Sequence, residues 1–145
     1  MEILRLLPVL AITVSCAPQD VPPASSSAQF DEFPKLLFSS FETDCAGPGE
    51  DYVKAGQNSV ECHELLSPQT TAFLILNYDG YTQDLPRTVT RLSSTKNNLG
   101  YRVDANLFFL IPQKNGSTVK VPVEGNALDR DLSDIYIGYG GTPVQ

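Results

Sequence analysis

Between residues 101 and 111 apolar and polar side chains alternate. Tyr101, Val103, Ala105, Leu107, Phe109 and Ile111 interleave first with Arg102, Asp104 and Asn106, then with Phe108 and Leu110. A period of two predicts a strand, because successive side chains on an extended backbone point to opposite faces. Val119, Val121 and Val123 repeat the alternation after Asn115-Gly116, which reads as a turn. Residues 87–95 are β-branched and polar, and Asn97-Asn98-Leu99-Gly100 marks a second turn. Residues 71–78 form a dense apolar run closed by Asp79-Gly80, which reads as one more strand. The pattern predicts an antiparallel meander of four strands.

Two details sharpen that meander. Directly opposed residues in an antiparallel pair share a face. A two-residue Asn115-Gly116 turn sets Ile111 opposite Lys120, mixing apolar with solvated positions. A loop of Lys114-Asn115-Gly116 instead sets Ile111 opposite Val119 and Phe109 opposite Val121, with Gly116 in the left-handed position of a bulged turn. The second detail is that 71–78 and the end of 101–111 are apolar on both faces. Phe73 and Ile75 oppose Leu74 and Leu76, and Phe108 and Leu110 oppose Phe109 and Ile111. A sheet with one wet face reads apolar in and polar out, so both faces here call for cover. Either residues 33–41 supply it, or the surface around Leu74, Leu76, Phe108 and Leu110 is a binding face for a partner or ligand.

Ahead of the strands the spacing becomes helical. Phe33, Leu36, Leu37, Phe38 and Phe41 cluster at helix spacing, with Pro34 suited to a first turn. Residues 46–49 are a loop by composition. Tyr52, Val53, Val60, Leu65 and Leu66 give a partial helical stripe over 51–66, weakened by Gly56 and Asn58 and ended by Ser67-Pro68. The expected fold class is α+β: an antiparallel four-stranded meander packed against one or two short helices in two layers. Residues 135–141 add an edge strand or lie on the surface.

The first 15 residues differ in kind. Arg5 and the amino terminus precede an apolar stretch from Leu6 to Val14, the length of a signal h-region and too short to span a bilayer. The segment Thr13-Val14-Ser15-Cys16 at its end resembles the lipobox of bacterial lipoproteins. That resemblance implies cleavage before Cys16, diacylation of its sulfur and a membrane anchor. Ala17, in place of aspartate, implies the periplasmic side of the outer membrane ahead of retention at the inner membrane or display at the cell surface. Residues 17–29 hold three prolines and the run Ser25-Ser26-Ser27, the composition of a disordered tether. The expected organisation is a signal peptide at 1–15, a lipidated cysteine and tether at 16–29, and one domain at 30–145.

Charge and cysteine count change the picture next. A formal charge of −7 opposes a phosphate-tracking surface, so no nucleic-acid partner is expected. The acids are dispersed, as on a solvated surface. Three cysteines leave one over in an exported protein, and lipidating Cys16 accounts for it. Cys45 and Cys62 are then expected to form a disulfide in an oxidising compartment.

Candidate chemistry is sparse. Glu61-Cys62-His63-Glu64 gathers the only histidine with a thiol and two carboxylates. No paired Cys-x-x-Cys spacing accompanies it, so neither a metal nor a cofactor is expected. On a helix, Cys62 and His63 would point about 100° apart, away from nucleophile–base geometry. Residues 129–134 carry three aspartates around Arg130, without the glycine and late glutamate of a calcium loop, and read as an acidic helix start or a turn. Gly138-Tyr139-Gly140-Gly141 lacks the Lys-Ser or Lys-Thr of a phosphate loop. The reading is a non-catalytic envelope lipoprotein that binds a protein or assembles a complex, held to the membrane through Cys16. A small-ligand or glycan-binding module is the alternative, and a carboxylate hydrolase the third.

Overall fold

The structure, a computed structural model, describes residues 26–144. The signal segment, Cys16 and most of the expected tether lie outside the described residues. No described helix is long and apolar enough to cross a membrane.

The fold mixes α and β around one antiparallel sheet. Chain order is β1 (Ser27–Phe30), α1 (Lys35–Asp44), β2 (Glu50–Gly56), β3 (Ser59–Leu65), α2 (Pro68–Asn77), β4 (Arg87–Asn97), β5 (Gly100–Pro112), β6 (Thr118–Pro122), α3 (Asn126–Gly138) and β7 (Thr142–Val144). The described residues thus form seven strands and three helices, where the alternation pattern led us to expect four strands and one or two helices. The strand order is β2-β3-β4-β5-β1-β7, with β6 also on β5. The long strand β5 is the hub. Its first half pairs with β1 and its second half with β6, while β4 runs along its whole other side.

The meander from β4 to β6 is as the periodicity predicts. Ile111 pairs with Val119 and Phe109 with Val121. Gln113 N–H donates to Ser117 O at 2.8 Å, Gly116 N–H donates to Gln113 O at 3.0 Å, and Gly116 has φ +83°. The three-residue loop with a left-handed glycine is therefore present. Gly100, in the β4–β5 turn, has φ +118°, and a Cβ there would come within 2.2 Å of Phe30 O, so only glycine suits the position.

Three expectations are corrected. Residues 51–66 are not a helix but the hairpin of β2 and β3. Gly56 and Asn58, which dilute a helical stripe, bracket a turn, and Tyr52, Val60 and Cys62 fall on one face once the backbone is extended. Residues 71–78 are not a strand but lie largely in α2. Ser67 caps that helix by accepting the Thr70 N–H at 3.3 Å, and Pro68 stands in its first turn, where a missing N–H costs nothing. A short run apolar on all sides does not by itself separate strand from helix. The last residues of the expected tether, Ser27 to Gln29, instead form most of β1. Ala28 is fully buried there between β5 and β7. Ser27 to Phe30 alternate polar and apolar, but a four-residue strand is too short for that alternation to stand out.

One face of the sheet carries the main core. Ala28, Phe30, Val60, Leu92, Val103 and Ala105 meet Leu37 of α1 and Tyr136 of α3, with Phe38, Phe41, Tyr52 and Leu132 packed around them. Residues 33–41 thus cover this face and not, as expected, the one that carries Phe108 and Leu110. The Tyr136 hydroxyl donates to Ser26 O at 2.9 Å, and its ring meets Phe30 edge-on. Burial pushes the Tyr136 phenol far above its ordinary range, with Asp104 adding to the effect. The acidic segment 129–134 lies inside α3, with Asp129 in the first turn, where a negative charge complements the helix dipole. Residues 135–138 finish α3 rather than form an edge strand, and β7 follows only at Thr142.

Candidate functional site

Cys45, at the end of α1, is bonded to Cys62 in β3, with Cα atoms 5.7 Å apart. The expected disulfide is present. It ties α1 to the core face of the sheet, because Cys62 shares that face with Val60. Glu50 places a carboxylate near both sulfurs. Those sulfurs are consumed in the bond and offer no thiolate, so the cluster is not a metal site. The Glu50 carboxylate instead accepts the Gly47 N–H at 2.7 Å.

Because residues 61–64 lie in a strand, the Glu-Cys-His-Glu cluster splits by alternation. Cys62 and Glu64 take the core face, while Glu61 and His63 take the other. Across the ladder Glu61 sits directly opposite Arg91. Arg91 Nε donates to Glu61 Oε1 at 2.7 Å, and Nη2 contacts the same oxygen. His63 Nε2 lies 2.6 Å from Glu61 Oε2. Glu61 is only 7% exposed. Burial pushes its carboxyl up, but the hydrogen bonds from His63 and Arg91 and the positive charge beside it outweigh that. The net result lies below the ordinary glutamate range. Such a carboxylate stays ionised and is a poor proton donor.

The same face continues with ion pairs along the sheet. Arg87 contacts Asp51 from β4 to β2. At the other end Arg102 Nε donates to Asp104 Oδ1 at 3.0 Å, and Ser27 Oγ donates to the same oxygen. Gln29 and Asn97 exchange amide hydrogen bonds beside them. Beside the first patch, opposite Val89, the Phe108 ring lies under two cations, 5.4 Å from the Arg91 guanidinium carbon and 5.1 Å from Lys120 Nζ. Asn106 is exposed on this face.

The four residues grouped from the sequence as a binding face do not share one. Leu74 and Leu76 ride on α2, where Leu74 is 3% exposed and Leu76 is 83% exposed. Phe108 is buried and Leu110 half-buried. Val89, beside Phe108, and Ile111, on the opposite face, are both fully buried, so this end of the sheet is covered on both sides. Alternation alone does not single out Arg91 with Glu61 or Arg87 with Asp51, because their meeting depends on the hairpin assignment of β2 and β3. The usable signal was Gly56-Gln57-Asn58, turn residues between two short stretches that each carry one valine.

An open cleft of about 600 Å³ lies where the segment from β1 into α1 meets the end of α3, lined by Phe30, Phe33, Leu36 and Tyr139 among others. Comparison of the chain with family models, with characterised proteins and with solved structures gives no match.

Proposed function

We propose that this chain is an exported lipoprotein, anchored through Cys16, that acts without catalysis by docking another envelope protein. The observation that carries the reading is the Cys45–Cys62 bond. It takes two of the three cysteines and suits an oxidising compartment, leaving Cys16 at the end of a signal-like apolar run. The charged face, around the exposed Asn106, is the proposed docking surface. Its side chains are already held in place by one another, so a partner of mixed charge meets a preorganised surface and little ordering entropy is lost. The lowered carboxyl pKa of Glu61 argues against that residue as the acid of a carboxylate hydrolase, which needs a raised one. The cleft beside Tyr139 favours a small-ligand or glycan-binding role as the second reading.

Two measurements test the proposal separately. Cys16→Ser should leave the protein unprocessed or release it from the membrane fraction. Wild-type fractionation and migration of that variant would remove the anchor. For the docking surface, a photo-crosslinking residue at Asn106 in intact cells should give one discrete adduct that Arg91→Glu abolishes. The same residue at Thr43, on α1, should give none. Equal adducts from both positions would remove the charged face as the docking surface.

A further inference from the structure

The edges of the sheet are not alike. At one side β7 is three residues long with Pro143 at its centre. Beside it, β6 ends in Pro122. Val123 N–H donates to Leu107 O, so the odd positions of this segment turn their main-chain groups toward β5 and the even ones face outward. The N–H that Pro122 lacks is therefore missing from the open edge, and Lys120 sits on that edge as well. Proline in these places is a usual means of blunting an edge strand, because it removes the N–H a new strand would need. The other edge, β2, has no proline, and no described element covers it.

The ladder shows which groups β2 leaves open. Glu50 pairs with Glu64 and Asp51 with His63, and Leu65 N–H donates to Gly49 O at 3.1 Å. Odd positions thus face β3, and Tyr52 and Lys54 turn their N–H and C=O outward. Glu50 N–H is turned the same way, onto Gly47 O at 3.1 Å, which leaves the Glu50 carbonyl outward. The register shift between Lys54 and Gly56 ends the regular stretch.

We propose that β2 pairs antiparallel with β2 of a second copy about a two-fold axis through Tyr52, joining the two sheets into one. An antiparallel self-pair must keep the two core faces on the same side, so opposed residues have the same parity. Centring on Tyr52 sets Glu50 opposite Lys54 twice over, an ion pair on each side of the axis. Tyr52 exchanges main-chain bonds with its counterpart, and each Lys54 N–H reaches the Glu50 carbonyl of the other copy. Centring on Asp51 would oppose two aspartates, and centring on Val53 would set Lys54 against Tyr52 and Glu50 against Gly56. Charge therefore selects one register. The contact is one strand wide, so the dimer is a weak, concentration-dependent one. This pairing does not depend on the anchor or on the charged face.

The test is sedimentation equilibrium of the full mature chain in density-matched detergent across a wide concentration range. A monomer–dimer equilibrium is expected. Lys54→Glu and Glu50→Lys should each raise the dimer Kd roughly tenfold or more, because opposed pairs become like-charged. An equimolar mixture of the two variants should recover wild-type association, since every glutamate then faces a lysine. Lys54→Pro deletes an outward N–H without touching the ladder to β3, and should abolish the dimer while the monomer keeps its circular dichroism. Should Glu50→Lys fail to fold, having lost the Gly47 contact, the two Lys54 variants decide alone. A chain that stays monomeric throughout, or a dimer indifferent to both Lys54 variants, would overturn the proposal.

Discussion

The two faces of the sheet are built from the same strands and carry opposite chemistry. On one face Val60, Leu92, Val103 and Ala105 are closed over by Leu37 and Tyr136 from two helices. On the other, at the positions in between, Glu61 meets Arg91, Arg102 meets Asp104, and Asp51 meets Arg87. The covered face draws its stability from apolar area removed from water, which is large and insensitive to pH. The charged face contributes less per contact, because partly exposed ion pairs trade hydration for attraction at near parity. What it contributes is position: Glu61, Arg91, Arg102 and Asp104 are each fixed by a neighbour. The difference teaches that alternation in β4 and β5 sorts one set of strands into two faces, with the helix-covered core on the even positions of β4 and the odd ones of β5, and the ion pairs at the positions in between.

The sharpest way to break that division is to open the covered face. Tyr136 is 1% exposed and touches both Phe30 and the Ser26 carbonyl. Tyr136→Ala should cost about 3–5 kcal/mol, the range for emptying a large aromatic site, and urea denaturation should record it as a lower midpoint. Tyr136→Phe should cost only about 1 kcal/mol, since Ala105 N–H still bonds Ser26 O. Equal losses from the two variants would mean that the hydroxyl, not the burial, holds α3 to the sheet.

Next in size is the link between helix and sheet. Cys45→Ser with Cys62→Ser should cost about 3 kcal/mol, the loop-closure entropy of a short cross-linked segment. The loss should appear as a lower thermal midpoint, and dithiothreitol should shift wild type toward the double variant while leaving the variant unchanged.

The smallest effect concerns the charged face. Glu61 has a carboxyl pKa below its ordinary range, so its ionised form favours the folded state. That contribution is present in full above the unfolded pKa, about 4.3 for glutamate. It is lost as the pH falls through the lower, folded value. Denaturation midpoints of wild type and Glu61→Gln should therefore differ at neutral pH and converge toward acid. A constant difference across that range would mean that Glu61 acts through shape rather than charge.

How much of this was legible in the chain varied with the kind of signal. The strand β5 and its hairpin to β6 were readable to the residue, because one face is buried and a slip of one position would turn every side chain over. The Cys45–Cys62 bond was readable from an odd count of cysteines. Helix α2 was not, because its apolar run shows no period and Ser67-Pro68 serves equally as the end of a helix before it or the cap of one after it. The hairpin of β2 and β3 was hidden by the partial helical spacing of Tyr52, Val53 and Val60. With it went the pairing of Glu61 with Arg91, a contact between residues thirty positions apart that exists only once β3 lies against β4. Strand β1 alternates over only four residues, too few to stand out beside the Pro- and Ser-rich stretch before it.

The central claim, an exported chain anchored through Cys16 and closed by one disulfide, meets its most direct test in an intact mass taken from the membrane fraction without reductant. The account predicts a chain that begins at Cys16, carries the added mass of acyl groups there, and is two hydrogens lighter for the Cys45–Cys62 bond. A chain that retains residues 1–15, or one that shows an unmodified Cys16 thiol, would contradict it.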